Sequence, residues 1–339
     1  MKTKKVTIYD IAALAKVSVA TVSRVLNERG NVRTETRDKI HQVIQQLNYV
    51  PDMFAQSLKK RKSFTVGLIV HDIRSPFFNE LIASIIDFFT NEDYHVIIGA
   101  VSGSEKNGAE LLKFLINKRV EGILLLGRQT DSLLYAELHH VSKRLPVILV
   151  GDHLDIDTVH LVNCENRKGG FIATRHLIEM GHRHIGIVTG YENQYDSEER
   201  LAGYREALKE AGLPFLPQYV FKGDYDPFFC QRFVFEWWKK HRSITALFCC
   251  SDMMAIGCMN GLMSYGLKIP QDFSIVGFDD IMLSTMVYPR LTTISQHVSQ
   301  LGRSASALLH SILSGNQKVY QRIFNQTELI IRDSTQSIA

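Results

Sequence analysis

The chain has 339 residues, 45% of them apolar and 22% charged, and this length favours two or three domains over a single hydrophobic core. The start, MKTKKVTIYD, lacks the apolar run of a secretion signal, and no apolar stretch is long enough to span a membrane. Five cysteines without CxxC spacing indicate free thiols in a cytoplasmic protein. We predict no metal site and no cofactor.

Charge is distributed unevenly along the chain. Residues 1–62 carry 13 Lys and Arg against 5 Asp and Glu, whereas the rest carries 26 against 30. A basic head on a mildly acidic body is typical of proteins that bind nucleic acid. A solvated basic tail is the alternative, but the head has a regular pattern that a tail lacks.

The head has the pattern of three short helices. Thr7 followed by Asp10 predicts a capped start for the first helix, and Ser18 predicts a cap for the second. The third helix is expected to begin at Thr34 and to end where Pro51 forces its neighbour out of helical geometry. A tight joint between the first two helices predicts a helix-turn-helix, whose second helix enters the major groove of DNA.

The exposed face of the second helix suits contact with base edges. Val19 and Ala20 are small enough to meet thymine methyl groups, and Arg24 can donate to guanine. A three-helix bundle without a partner is the alternative. Within this domain, residues 1–50, we expect the following residues to contact DNA: Thr7, Ser18, Val19, Ala20, Thr21, Ser23, Arg24 and Asn27.

From about residue 63 the pattern changes to short apolar runs that alternate with amphipathic stretches. This alternation indicates buried parallel strands connected by helices. We therefore predict an α/β body, residues 63–339, built as two doubly wound sheets side by side. The runs are TVGLIV (65–70), HVIIGA (95–100), GILLLG (122–127), PVILV (146–150), HIGIVTG (184–190), TALFCCS (245–251) and FSIVGFD (273–279).

Polar residues follow several of these runs, among them Arg128, Asp152, Ser251 and Asp279. Ligands of open α/β sheets bind at the carboxyl ends of the strands, so we expect these side chains to line one cleft. Carboxylates accept hydrogen bonds from hydroxyl groups and a guanidinium donates to them, which favours a hydroxyl-rich ligand. The alternative is that these residues only end strands and cap the next helix.

Both parts of the chain resemble the lactose/galactose repressor family. In the head the likeness lies in VTIYDIAALAKVSVATVSRVLN and VRTETRDKIHQVIQQLNYVPDMFAQSLK, and in the body in SPFF (75–78), ENRKGG (165–170), RLAGY (200–204), IPQDFSIVGFDD (269–280) and PRLTTI (289–294). The resemblance implies a transcription regulator without catalytic activity. It would bind a palindromic operator in double-stranded DNA as a homodimer, and a sugar or sugar derivative as effector.

The resemblance also implies roles for further residues. Residues 51–62 would form a hinge helix and linker in the minor groove, with Ala55, Leu58 and Lys59 at the DNA and Leu58 prying open the central base step. The core would divide into one subdomain of about 63–162 and 294–323 and a second of about 163–293 and 324–339. Its predicted effector contacts are Phe77, Phe78, Arg128, Asp152, Arg200, Tyr225, Ser251 and Asp279.

Several departures from the family pattern bear on these roles. Asp52 stands at the start of the hinge segment, where the family often has Asn or Ser, and this puts a carboxylate near the DNA phosphates. Lys16 stands in the turn where the family usually has glycine, which predicts a strained turn. Gly151 stands where an aspartate is common, so that Asp152 would have to supply the contact. A catabolite-control regulator, whose core is controlled by a partner protein, is the alternative function. A transport-type binding protein would lack the head, and no P-loop, GxGxxG, nucleophile elbow or HExxH motif indicates an enzyme.

Overall fold

The protein is described from a computed structural model, which covers residues 6–26, 30–47, 49, 62–101, 107–127, 132–153, 156–316 and 319–338. Its contacts divide the chain into two compact units, Met1–Phe64 and Thr65–Ala339. Five of the residues predicted to bind DNA or effector lie outside the described residues: Asn27, Ala55, Leu58, Lys59 and Arg128.

The described part of the first unit contains three helices around a small core: α1 (Ile8–Ala15), α2 (Val19–Leu26) and α3 (Thr34–Gln46). The core consists of Ile11, Ala12, Ala15, Val22, Val25, Ile40 and Val43. The expectation that Pro51 ends the third helix is wrong, because α3 already ends at Gln46. Just after this end, the N–H of Tyr49 donates to the carbonyl of Ile44 at 3.0 Å, a hydrogen bond of the type that caps the C-terminus of a helix.

Both predicted helix caps are confirmed by hydrogen bonds. The Oδ2 atom of Asp10 accepts from the backbone N–H of Thr7 at 2.8 Å and from its hydroxyl at 2.6 Å. The Oγ atom of Ser18 accepts from the N–H of Thr21 at 3.1 Å. These bonds satisfy polar groups that the first turn of a helix leaves without intrahelical partners.

The second unit contains two six-stranded sheets. In the order β11-β5-β4-β3-β1-β2, the first sheet comprises β1 (Thr65–Val70), β2 (His95–Ala100), β3 (Gly122–Leu126), β4 (Val147–Val150), β5 (His160–Cys164) and β11 (Arg322–Asn325). In the order β12-β10-β9-β8-β6-β7, the second comprises β6 (Ile185–Thr189), β7 (Val220–Lys222), β8 (Ala246–Cys249), β9 (Ser274–Asp279), β10 (Thr292–Ser295) and β12 (Glu328–Ile330). Neighbouring strands run parallel, except that β12 is antiparallel to β10.

Helices connect these strands as in other doubly wound folds. On the first sheet they are α4 (Pro76–Asn91), α5 (Asn107–Asn117), α6 (Ser132–Val141) and α12 (Val298–Leu313). On the second they are α7 (Asn166–Glu179), α8 (Tyr195–Glu210), α9 (Pro227–Lys239), α10 (Asp252–Ser264) and α11 (Leu283–Met286).

All seven predicted strands are present, but β2 differs from its predicted environment. It is the last strand of its sheet, and its residues alternate between exposed and half-buried instead of being buried. The strands that the apolar runs did not predict are β5, β7, β10, β11 and β12, each of three to five residues. None of these strands contains more than two consecutive apolar residues, so they do not stand out from a loop.

The chain passes between the two sheets three times, after β5, after β10 and between β11 and β12. The pieces around each sheet are therefore not continuous in sequence, and the three crossing segments lie between them. A change in the angle between the two sheets has to be absorbed by these segments.

The turn between α1 and α2 contains a side chain in left-handed backbone conformation. Lys16 has φ 54° and ψ 47°, and its N–H donates to the carbonyl of Ala13 at 3.3 Å. This region costs an L-residue about 1–2 kcal/mol, whereas glycine enters it without that cost. The strain that the sequence predicts at this turn therefore has a definite backbone cause.

Lys16→Gly is expected to stabilise the protein by about 0.5–1 kcal/mol, because the relief of backbone strain exceeds the extra freedom of the unfolded chain. Lys16→Ala is the control, since alanine bears the same strain. Urea denaturation of the full chain, followed through its helical signal, measures both. Equal stabilisation by both substitutions would assign the effect to the lost lysine side chain and contradict the strain.

Candidate functional site

The described part of the first unit exposes one face of α2. Ala20 and Arg24 are exposed, whereas Val19, Thr21 and Ser23 are half-buried because they flank the buried Val22 and Val25. Thr7 and Ser18 are also exposed, each at the start of a helix. The long side chain of Arg24 is thus presented to solvent on a helix that is otherwise lined by short side chains.

In the second unit, the carboxyl edges of the two sheets face each other. His71 follows β1 and its ring lies edge-on to that of Tyr191, which follows β6, with the centroids 6.4 Å apart. Gly151 follows β4, and a Cβ atom built on it would lie 3.9 Å from Oδ2 of Asp196 on α8. Residues after strands of both sheets are therefore close enough to contact one ligand.

The guanidinium of Arg200, on α8, lies at the centre of this region with 4% of the residue exposed. Its Nε donates to Oδ1 of Asn166 at 2.8 Å, and its Nη1 donates to the carbonyl of Cys250 at 2.6 Å. Nη1 is also 3.9 Å from Oδ1 of Asp279, and the group lies 3.8 Å from the ring centroid of Phe278. These hydrogen bonds go to α7 and to the end of β8, although the charge of Asp196, on the same helix as Arg200, also acts on the guanidinium.

Asp279, at the end of β9, is held by a second polar group. Gln296 donates from Nε2 to Oδ1 of Asp279 at 2.6 Å, and the thiol of Cys164 donates to Oε1 of Gln296 at 3.1 Å. The backbone φ of Asp279 is 127°, in the region that favours glycine. Burial raises the pKa of Asp279 to about 8, although Arg200 acts in the opposite direction. A strained, buried acceptor beside a guanidinium is typical of a binding site.

Behind this pair lies a structural carboxylate. Asp252 is completely buried and accepts from the hydroxyl of Thr293 at 2.5 Å and from the N–H of Ile281 at 2.9 Å. Burial raises its pKa to about 7, and the charge of Asp280 adds to this. Asp280 itself is 2.5 Å from Arg332. The contacts of Asp280 are therefore those of a structural residue at the end of a strand.

A third carboxylate, Asp196, links the two halves of the second unit. Its Oδ1 accepts from Nδ2 of Asn163 at 2.8 Å and from Nδ2 of Asn166 at 3.0 Å. Asn163 lies on β5 and also donates to the carbonyl of Asp152 at 3.3 Å. Burial raises the pKa of Asp196. Strand β5 of the first sheet is thereby tied to helix α8, which packs with the second.

The other predicted effector residues lie at several places along these edges. The rings of Phe77 and Phe78 on α4 are half-buried, with centroids 5.2 Å apart, and the ring of Phe78 fills the space beside Gly127 after β3. Tyr225 lies edge-on to Tyr191 at 5.6 Å. The hydroxyl of Ser251 accepts from the N–H of Met254 at 3.2 Å and so caps α10.

Four polar residues of the site were missed from the sequence: Asn163, Asn166, Asp196 and Gln296. Asn166 lies in the stretch ENRKGG, which carried the resemblance without being assigned a role. Asp196 precedes Arg200 by four residues, so the helical spacing could have indicated a shared face. Asn163 and Gln296 are on or just after β5 and β10, two strands that the apolar runs did not reveal.

A separate cavity of about 440 Å³ opens between α7 and α8. None of the predicted effector residues lines it; its walls include Arg167, Phe171, Glu199, Glu206 and Phe324. Glu199 pairs there with Arg167 at 2.9 Å. In the described part of the chain, no cluster of three or more His, Cys, Asp or Glu side chains is arranged to hold a metal. No described helix is both long and apolar enough to cross a membrane.

Comparison with known proteins extends over both units. Residues 7–52 match the family model of bacterial regulatory proteins of the lacI family, and residues 174–335 match that of a periplasmic binding protein-like domain. The chain is 35% identical to the ribose operon repressor of Haemophilus influenzae over 98% of its own length and 99% of that protein. This protein therefore combines a helix-turn-helix unit with a binding-protein-like core.

Solved structures show the same architecture. A complex of the transcriptional regulator CelR with cellobiose is 28% identical, covers 97% of this chain and 99% of its own, and superimposes with a TM-score of 0.75. The lac repressor dimer bound to operator and the anti-inducer ONPF is 24% identical, covers 98% and 100%, and superimposes with a TM-score of 0.88. The chain belongs to the LacI family of bacterial regulatory proteins, and the predicted fold is confirmed.

Asp279→Asn is expected to gain stability relative to wild type as the pH rises from 5 to 8. The buried carboxyl keeps its proton up to about pH 8 when folded, but releases it near about 3.9 when unfolded. Stability is therefore lost as the pH rises between these values, and asparagine, which cannot ionise, avoids this loss. Thermal unfolding at intervals across that range measures the difference.

The exposed Asp333, which pairs with Arg290 at 2.7 Å, provides the control for this experiment. Asp333→Asn is expected to show no such gain, since Arg290 lowers the pKa of Asp333. A difference between Asp279→Asn and wild type that stays constant with pH would show that Asp279 is ionised throughout.

Proposed function

We propose that this protein represses carbohydrate-use genes: it binds a palindromic operator as a homodimer, and a sugar-like effector in the cleft changes that affinity. The observation that carries the proposal is the buried pair of Arg200 and Asp279 between the facing edges of the two sheets. A fixed guanidinium and a carboxylate together supply the donor and the acceptor that sugar hydroxyls need. The family of the chain supports the same function.

The first unit supplies the contacts with DNA. Arg24 is exposed on α2 with Ala20 beside it on the same surface, so that the helix can approach a major groove and donate to guanine. One such helix reads few bases, and a two-fold dimer doubles the number and requires an inverted repeat. Val19, Thr21, Ser23 and Asn27 complete the proposed contact set, with Ala55, Leu58 and Lys59 in the minor groove.

The cleft of the second unit receives the effector. Its aromatic side chains Phe77, Phe78 and Tyr225 offer apolar surfaces to a sugar ring, while Arg200 and Asp279 orient hydroxyl groups. Asp152, Ser251 and Arg128 belong to the same proposed set. Two relatives support this chemistry by name, a ribose operon repressor and a regulator in complex with cellobiose.

Coupling between the two ligands follows from the way the chain crosses between the sheets. An effector that contacts both edges changes the angle between them, and the three crossing segments have to absorb this change. We propose that this angle sets the spacing of two hinge segments, residues 51–62, in the dimer. A coupling free energy of about 1–3 kcal/mol corresponds to a change in operator affinity of about 5- to 150-fold.

The remaining assignments follow from this function. The protein acts in the cytoplasm, where its operator is, and it catalyses no reaction. We propose the core subdomains as residues 63–162 with 294–323, and 163–293 with 324–339.

Arg24→Ala is expected to weaken binding to the selected operator by about 1–3 kcal/mol and to relax the preference at one base position in each half-site. Operator sequences are first selected from random DNA with the full-length protein. Lys39→Ala on α3 is the control, because a lysine outside α2 is expected to leave base preference unchanged. Selection of sites without an inverted repeat would contradict the dimer.

Asp279→Asn is expected to reduce the effector response, the ratio of operator affinities with and without effector, to about one. The variant retains an oxygen for Gln296 but replaces the other carboxyl oxygen with an amide group, which cannot accept a hydrogen bond from the effector. The effector is chosen by thermal shift from neutral monosaccharides and disaccharides that include D-ribose and cellobiose. Asp333→Asn is the matched control, because Asp333 is exposed and is not among the proposed effector contacts. A full wild-type response in Asp279→Asn would remove this residue from the site.

A further inference from the structure

Gly151, the first residue after β4, leaves an open space at the edge of the first sheet. Its φ is 72°, and a Cβ atom built on it would have one heavy-atom neighbour within 4 Å, Oδ2 of Asp196 at 3.9 Å. Most glycines on the strands of this unit are different, because a Cβ there would collide with a packed side chain, as at Gly67 and Gly122. At Gly151 no packing atom of the described residues fills the position, and we take this space as one that a ligand can enter.

Asp196 directs one carboxylate oxygen toward this space. Its Oδ1 is occupied by the two amides of Asn163 and Asn166. Its Oδ2 receives no hydrogen bond from any described residue, although only 5% of Asp196 is exposed. A carboxylate oxygen that has lost most of its water and gained no donor is costly, unless a ligand supplies the donor.

The surrounding charges determine what kind of donor fits. Arg200 is the cation buried among the described residues here, and its bonds to Asn166 and to the carbonyl of Cys250 hold it in place. Two carboxylates, Asp196 and Asp279, lie against this one guanidinium. Burial raises the pKa of both carboxyl groups, and the charge of Arg200 acts in the opposite direction. An anionic group would place acceptor oxygens against Oδ2 of Asp196, whereas hydroxyl and amino groups can donate a hydrogen bond to it.

We propose that Oδ2 of Asp196 selects the effector by accepting a hydrogen bond from a hydroxyl or amino group that occupies the space beside Gly151. The effector is thus an uncharged or cationic polyhydroxyl compound, and phosphorylated or carboxylated sugars are excluded. This inference rests on the proposed function, in that it assigns the chemistry of the same cleft. Under this proposal, one of the two residues 151 and 196 has to supply a carboxylate for the effector. Carboxylates at both positions would repel each other.

The first test compares ligands on the full-length protein by titration calorimetry. The probes are D-ribose with ribose 5-phosphate, and glucose with glucosamine, glucose 6-phosphate and glucuronate; cellobiose is the disaccharide. Within each set, the neutral or amino form is expected to bind at least about ten-fold more tightly than the anionic form, the effect of one charge-assisted bond. Tighter binding of a phosphorylated or carboxylated form overturns the proposal. So does the absence of any binding, because the panel spans the proposed class.

The second test exchanges the position of the carboxylate. Asp196→Asn keeps an oxygen for Asn163 and Asn166 but presents an amide donor in place of Oδ2, and it is expected to weaken the best probe at least about ten-fold. Gly151→Asp alone is expected to weaken it as well, because two carboxylates then face each other and because φ 72° disfavours a side chain at residue 151. The double variant Gly151→Asp with Asp196→Asn is expected to recover affinity relative to both single variants.

Glu198→Gln, an exposed residue of the same helix, is the matched control and is expected to bind as wild type does. Thermal unfolding without ligand shows whether each variant is folded. If a single variant unfolds, the comparison of the double variant with the other single variant still decides the result. A double variant no better than the weaker single variant, or an Asp196→Asn variant with wild-type affinity, overturns the role of Asp196.

Operator binding is measured separately on the same proteins. Should the probes bind with the expected selectivity while operator affinity stays unchanged, the effector site stands and the proposed coupling to DNA fails. Should operator affinity respond to an anionic compound instead, the regulatory function stands and the selectivity assigned to Asp196 fails.

Discussion

The burial of the Arg200 guanidinium is the constraint on which the cleft depends. A charge with 4% exposure is tolerable only when neighbouring groups replace the water that it has lost. Asn166, the carbonyl of Cys250, Asp279 and the ring of Phe278 do this together. They come from separate elements of the chain, so the requirement to satisfy one cation fixes the relative positions of α7, α8, β8 and β9.

The same requirement explains why the cleft is rich in acceptors. Asp196 and Asp279 lie beside Arg200 but are themselves buried, and this burial raises the pKa of both. A ligand that donates hydrogen bonds to them lowers this cost and stabilises the arrangement in which the two edges face each other. Ligand binding and the relative position of the sheets are thereby linked through one set of side chains.

The residues that form hydrogen bonds across the cleft lie next to the segments in which the chain crosses between the sheets. Asn163 and Asn166 flank the first crossing segment, and both donate to Asp196. Gln296 follows β10 at the second crossing and donates to Asp279. The groups that contact the proposed effector therefore adjoin the segments that must deform when the sheets move. Because these residues are adjacent to the crossing segments, binding of an effector in the cleft can change the angle between the two sheets.

The sequence by itself determined the helical head with its Thr7 and Ser18 caps and the seven strands that coincide with apolar runs, because caps and apolar runs are local properties. Its resemblance to one family assigned Arg200 and Asp279 to a site. Only the tertiary structure decided that Asp196 faces Gly151, since strand β4 and helix α8 are brought together by packing. Such a contact depends on the meeting of distant segments, and no local pattern in either segment encodes it.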